Sequence, residues 1–254
     1  MDMDGSLASG ASLGPIARRV ELARRKPPAG EHGPSRQLIF AELASPLEPV
    51  RRLLRPKLVL PRTRNPRVVM LLPGFGTHPL RMRYMAKQLE RAGHRVKRWG
   101  LGWNLGPSEE NFALLEARVE QIRQRYGQDV VLVGWSLGGI FARELAKRRP
   151  EMIAKVVSMG SPFSGTPYAN NAWRLYQLVT GHSVEQPPVE AQLAAKPPVE
   201  TVALWSPRDG VVSPRSACGR AGERDRAIAL RCTHLGFANS PEAIRAVAEE
   251  LERG

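Results

Sequence analysis

The chain has 254 residues, with 38 Lys and Arg against 24 Asp and Glu, for a formal net charge of +14. That length suits one α/β domain with an extension, and no apolar stretch approaches the ~20 residues of a membrane-crossing helix. Arginine far outnumbers lysine; such a surface suits anionic partners such as acidic lipid headgroups, but a compositional arginine bias on a solvated surface is the favoured reading, and with no basic helix or aromatic–basic module of a nucleic-acid binder, nucleic acid is not expected.

Residues 1–35 are rich in Gly, Pro, Ser and Arg and read as a mobile basic tail. They open on Met1-Asp2-Met3-Asp4-Gly5 with no apolar core behind it, which is not the pattern of a secretory signal, and a cytoplasmic location is the expectation. The stretch Ile16–Leu22 is basic and partly apolar but too short to make a persuasive membrane-surface helix. Residues 36–66 read as a helical extension. Leu38, Ile39, Phe40, Leu43, Val50, Leu53 and Leu54, broken by Ser45-Pro46, suggest two short helices on the edge of the domain.

From Arg67 the texture alternates between strand and helix signals. Val68–Leu72 is an apolar run ending at Pro73-Gly74. Leu80, Met82, Met85 and Leu89 make a helical face closed by Gly93. Val96–Trp99 is a second strand. Ser108 caps a helix with Glu109 and Glu110 in its first turn, a stripe of Phe112, Leu115, Val119 and Ile122, and Gly127 as its stop. Val130–Val133 is a third strand, followed by a helix that runs to Pro150. Runs at 156–159, 202–205 and 227–230 supply three more strands. A last helix starts at Ser240-Pro241 and carries Ile244, Val247 and Leu251 on one face. This alternation predicts an α/β fold with a mostly parallel sheet and helices on both faces.

Chemistry-bearing residues collect at the carboxyl ends of those strands, where active groups of open parallel sheets gather. After the third strand comes Gly134-Trp135-Ser136-Leu137-Gly138, a G-x-S-x-G pattern between a buried strand and a helix. In that context the pattern is a nucleophile elbow. After the first strand, Pro73-Gly74-Phe75-Gly76-Thr77 can bring backbone N–H groups close to a ligand. The Phe75 and Leu137 amides are candidate oxyanion donors. After the fifth strand lies Asp209 in Ser206-Pro207-Arg208-Asp209-Gly210, and after the sixth lies His234 in Thr233-His234-Leu235-Gly236. Singly, Asp209 reads equally well as a turn residue and His234 as a surface histidine. Jointly, three independent loops carry a hydroxyl, a carboxylate and an imidazole in the order Ser136, Asp209, His234. The roles they suggest are nucleophile, orienting acid and general base.

These segments resemble the α/β-hydrolase superfamily, and within it bacterial lipase- and esterase-like serine hydrolases, over about residues 66–254. One departure is Pro73, where a histidine commonly precedes the oxyanion glycine. The resemblance implies an acyl-serine mechanism on a small ester substrate with an apolar acyl group. It leaves open a thioesterase, an acyltransferase or a non-catalytic binding member of the fold, with a possible weak contact to anionic membrane. The slot after the fourth strand, residues 162–198, is where such proteins insert a cap. Here it holds Phe163, Tyr168, Trp173, Leu175, Tyr176, Leu178 and Val179, a helix stopped by Gly181, and a proline-rich return. It is expected to form a small lid on a catalytic domain spanning 67–254. Trp135, Phe163 and Trp173 are the candidate substrate-binding residues. No metal or cofactor is expected, because no Cys/His cluster has ligand spacing. Cys218 and Cys232 are expected to be free thiols in a reducing compartment, although export would allow a bridge.

Overall fold

The structure, a computed structural model, describes residues 14–43, 57–189 and 192–253. Its centre is a six-stranded parallel sheet. The strands are β1 (Val68–Leu72), β2 (Arg95–Arg98), β3 (Val130–Trp135), β4 (Ile153–Met159), β5 (Glu200–Trp205) and β6 (Arg226–Ala229), in the order β2-β1-β3-β4-β5-β6. Successive side chains of a strand point to opposite faces, so Val68, Met70 and Leu72 enter one core while Val69 and Leu71 enter the other. The first core is closed by α4 (Glu109–Tyr126) and α5 (Leu137–Arg148) through Phe112, Leu115, Val119, Phe141 and Leu145. The second is closed by α3 (Arg83–Arg91) and α8 (Pro241–Glu252) through Met85, Leu89, Ile244, Val247 and Leu251. Both faces are therefore covered, as a parallel sheet requires.

Helix boundaries follow the capping chemistry. Ser108 Oγ accepts from Asn111 N–H at 3.1 Å to open α4, and Gly127, at φ 63°, closes it. Ser240 Oγ does the same for α8, accepting from Ala243 N–H at 3.1 Å, with Pro241 in the first turn. The strand order reverses direction between β1 and β3. The crevice outside their carboxyl ends is where the rule for open α/β sheets places a ligand.

Three segments lie outside this sandwich. Between β4 and β5 the chain carries α6 (Trp173–Thr180), stopped by Gly181 at φ 76°. The short α7 (Pro214–Cys218) follows β5. Ahead of β1 run α1 (Pro15–Arg24) and α2 (Arg36–Glu42). Here the structure departs from the sequence expectation, because residues 14–35 form a strap rather than a mobile tail. Leu22 is buried against α6, and its carbonyl accepts from Gln177 Nε2 at 2.6 Å. Asn171 Nδ2 donates to Pro34 O at 3.0 Å. The segment has few apolar side chains, and its anchoring comes largely from partners some 140–155 residues away, which composition does not reveal. Residues 1–13 of the expected tail, and the expected second helix around Val50–Leu54, lie outside the described residues.

Among the described residues no helix is long and apolar enough to cross a membrane, and no group of three or more His, Cys, Asp or Glu is placed to hold a metal ion. Cys218 and Cys232 are unbridged; burial pushes the Cys232 thiol up to about 12.

Candidate active site

Ser136 sits between β3 and α5 at φ 54°, ψ −122°, and is the one non-glycine residue with positive φ among the described residues. Such a conformation costs ~1–3 kcal/mol and persists only where the surroundings enforce it. Here they do. A Cβ on Gly134 would strike the Gly138 carbonyl, and one on Gly138 would strike the Leu72 carbonyl. The two glycines let α5 start directly behind the serine and against β1. Ser136 N–H donates to Met159 O at 2.8 Å and Ser136 O accepts from Gly139 N–H at 2.9 Å, so the turn is pinned on both sides.

The loop after β1 is held by side chains of its neighbours. Asn104, fully buried, donates through Nδ2 to Pro73 O at 2.7 Å, and its backbone carbonyl accepts from Gly76 N–H at 2.7 Å. Thr77 Oγ1 donates to Gly74 O at 2.7 Å. These contacts occupy the loop's carbonyls and leave the Phe75 N–H without a partner among the described residues. The Leu137 N–H, first in its helix, is likewise unclaimed. Both residues line the same cavity as Ser136. The positive end of α5 adds to the preference for negative charge there.

Asp209 and His234 meet. His234 Nδ1–H donates to Asp209 Oδ2 at 2.8 Å, with both side chains buried. The other carboxylate oxygen accepts from the N–H groups of Val211 and Val212 at 2.8 and 2.7 Å, which aims Oδ2 at the ring. Trp135 Nε1–H donates to His234 O at 3.0 Å, so the residue before Ser136 braces the imidazole loop from below. Burial opposes the imidazolium, but the Asp209 charge, its hydrogen bond and the Glu42 charge together hold His234 above the ordinary imidazole value. With Nδ1 engaged, Nε2 is the nitrogen left for chemistry. Among the described residues the Ser136 hydroxyl is not hydrogen-bonded to it.

A mostly apolar slot of about 150 Å³ opens onto Ser136, walled by Phe75, Leu137, Ile140, Trp173, Tyr176 and Val212. Phe75 and Tyr176 pack with ring centroids 5.4 Å apart, and burial pushes the Tyr176 phenol up to about 12, so this wall carries no charge near neutrality. Trp173 lines the slot as expected from the sequence; Trp135 and Phe163 do not. Trp135 shares the strand parity of Val131 and Val133 and is buried with them in the core beneath the sheet. Phe163 is buried under the Arg143 guanidinium, 4.0 Å from its ring centre. The residue the sequence reading missed is Glu42, whose buried carboxylate reaches both the Asp209 and His234 loops. No local pattern marks it.

A family model described as the alpha/beta hydrolase fold matches residues 67–180. Together with the parallel sheet and the helices on its two faces, this match gives the chain the α/β-hydrolase fold. Among curated relatives, the chain is similar to a pimeloyl-[acyl-carrier protein] methyl ester esterase of Aromatoleum aromaticum, 33% identical over 93 residues. That match covers 37% of this chain and spans only about a third of the relative, 36% of its length. Among solved structures, it resembles a lipase of Bacillus licheniformis in its mature form. The TM-score is 0.59 at 15% identity, over 77% of this chain and 96% of that one. A gene product of Listeria innocua gives a TM-score of 0.53 at 18% identity, covering 75% and 95%. At these identities the structural likenesses speak to the fold.

Proposed function

We propose that this α/β hydrolase cleaves carboxylic esters through an acyl-serine intermediate. The observation that carries the reading is the buried Asp209–His234 pair, tied through Trp135 to the strand end that carries the enforced elbow at Ser136, with Ser136 itself lining an apolar slot. In this mechanism His234 Nε2 takes the Ser136 proton as Oγ attacks the ester carbonyl. The Phe75 and Leu137 amides receive the oxyanion, and the imidazolium, stabilised by Asp209, protonates the departing alcohol. Water activated by the same nitrogen then frees the acid. The slot takes the acyl group. The segment 162–198 acts as a lid through Trp173 and Tyr176, keeping water from the intermediate.

Leu175, Leu178 and Val179 are exposed on the helix whose Trp173 and Tyr176 wall the slot, and Trp103, Leu105, Arg18, Arg19 and Arg174 are exposed as well. This favours a weak contact with an anionic lipid surface that would present ester substrates.

The deciding experiment is a chain-length series of p-nitrophenyl esters on wild type and Ser136→Ala. Turnover should fall by ~10⁶, the scale seen when a serine nucleophile is removed. Comparable rates in the two proteins would reject the mechanism.

A further inference from the structure

The Glu42 carboxylate, 5% exposed, sits at the junction of the two acid–base loops. Its Oε1 accepts from Gly210 N–H at 3.0 Å and from His234 N–H at 2.6 Å. Its Oε2 accepts from Leu235 N–H at 2.9 Å. One donor thus lies immediately after Asp209, one belongs to His234 itself, and one follows it. Three backbone amides that face away from the sheet ladder would otherwise be buried without partners, each a costly omission. The approach is close enough to constrain the sequence of the Asp209 loop. A Cβ on Gly210 would collide with the Leu38 carbonyl of α2, so glycine there is what lets the helix seat.

We propose that Glu42 is a positioning residue for the acid–base pair: α2 contributes one carboxylate that clamps the Asp209 and His234 loops in register, and thereby sets the basicity and aim of the imidazole. The proposal rests on the ester-hydrolase reading above and adds a residue more than 160 positions from either loop. Two carboxylates face the His234 ring and its backbone, Asp209 and Glu42. Its other close neighbours are the uncharged rings of Trp135 and Phe237. A carboxamide at position 42 has a single acceptor oxygen for three donors, so it must abandon either the Gly210 and His234 amides or the Leu235 amide.

The test uses the full-length chain with Glu42→Gln, Glu42→Ala and Gly210→Ala beside Ser136→Ala. Reactive sites are counted by titration with a fluorophosphonate. For Glu42→Gln the expected result is a ~10–100-fold lower kcat per titrated site with KM within about twofold, since an ångström of misplacement costs on that scale. The acid limb of kcat/KM should also move to lower pH, as one of the two carboxylates supporting the imidazolium is neutralised. Glu42→Ala should be worse than Glu42→Gln. Gly210→Ala wedges α2 outward while leaving every charge in place. It should lower kcat without raising KM, and it decides the matter if the Glu42 variants do not fold. Wild-type kcat and an unmoved acid limb in the folded variants, even with a lowered Tm, would reduce Glu42 to a structural brace and overturn the proposal. A dead Ser136→Ala beside an unaffected Glu42→Gln retires the positioning role alone, whereas an active Ser136→Ala retires the hydrolase reading beneath it.

Discussion

The proposed nucleophile and the proposed acid–base pair are built by opposite means. Ser136 is held by its own neighbours in sequence: Gly134, Gly138 and Gly139 admit the turn, and β3 and α5 enforce it. Asp209 is steadied within its own loop by the Val211 and Val212 amides, but the two loops are brought together from outside, by Trp135 and by Glu42. The first region is a backbone device with a local code, and the second is a side-chain network with a distributed one. A damaged elbow should therefore fail by not folding or by losing its reacting atom. A damaged network should fail by degrees.

The largest expected effect on the network side is at Asp209. Asp209→Asn should lower kcat by ~10⁴, because the amide can stabilise the wrong tautomer of His234. Its residual activity should tolerate more acid than wild type. His234 is held above the ordinary imidazole value, so the neutral, active form is lost as pH falls through that raised value; without the Asp209 charge, only Glu42 is left to oppose burial and the limb moves down. A kcat/KM profile from pH 4 to 9 checks both statements, and an acid limb that moves upward contradicts them. On the elbow side, Gly138→Ala should destabilise the protein by about 3 kcal/mol or more. Its Cβ meets the rigid Leu72 carbonyl, and the loss is readable as a lower urea midpoint. Ser136→Gly should be about 1 kcal/mol more stable than Ser136→Ala, because only glycine relaxes at φ 54°; equal midpoints would mean the elbow stores no strain. Smaller still, Trp173→Ala should cost long-chain esters about tenfold more than acetate, since it removes slot wall and leaves the serine surroundings intact. Uniform losses would place Trp173 outside acyl recognition. Binding to acidic vesicles should weaken as salt rises from 0.01 to about 0.5 M, and salt-independent binding would dismiss the arginines.

This contrast also explains what could be read in advance. All six strands and the helices α3, α4, α5, α6 and α8 follow from apolar periodicity, caps and glycine stops, and each lies within a few residues of expectation. Ser136, Asp209 and His234 were legible because strand ends mark where chemistry collects. Trp135 was assigned to substrate binding against its own strand parity, which places it with Val131 and Val133 in the core. Phe163 was assigned there as a lid aromatic, but a cationic partner twenty residues upstream decides its environment. Glu42 lies beyond such reasoning, since a lone acidic residue ending a seven-residue helix acquires meaning only when distant amides converge on it.

The strap formed by α1 has a mechanical consequence. Gln177, on the helix that shields the slot, is tethered to Leu22 O, and Asn171 to Pro34 O, so that helix cannot swing outward while its leash stays seated. Substitutions that cut these two hydrogen bonds, Gln177→Ala and Asn171→Ala, should therefore loosen the wall of the slot, which faster protease cleavage within residues 14–35 would register.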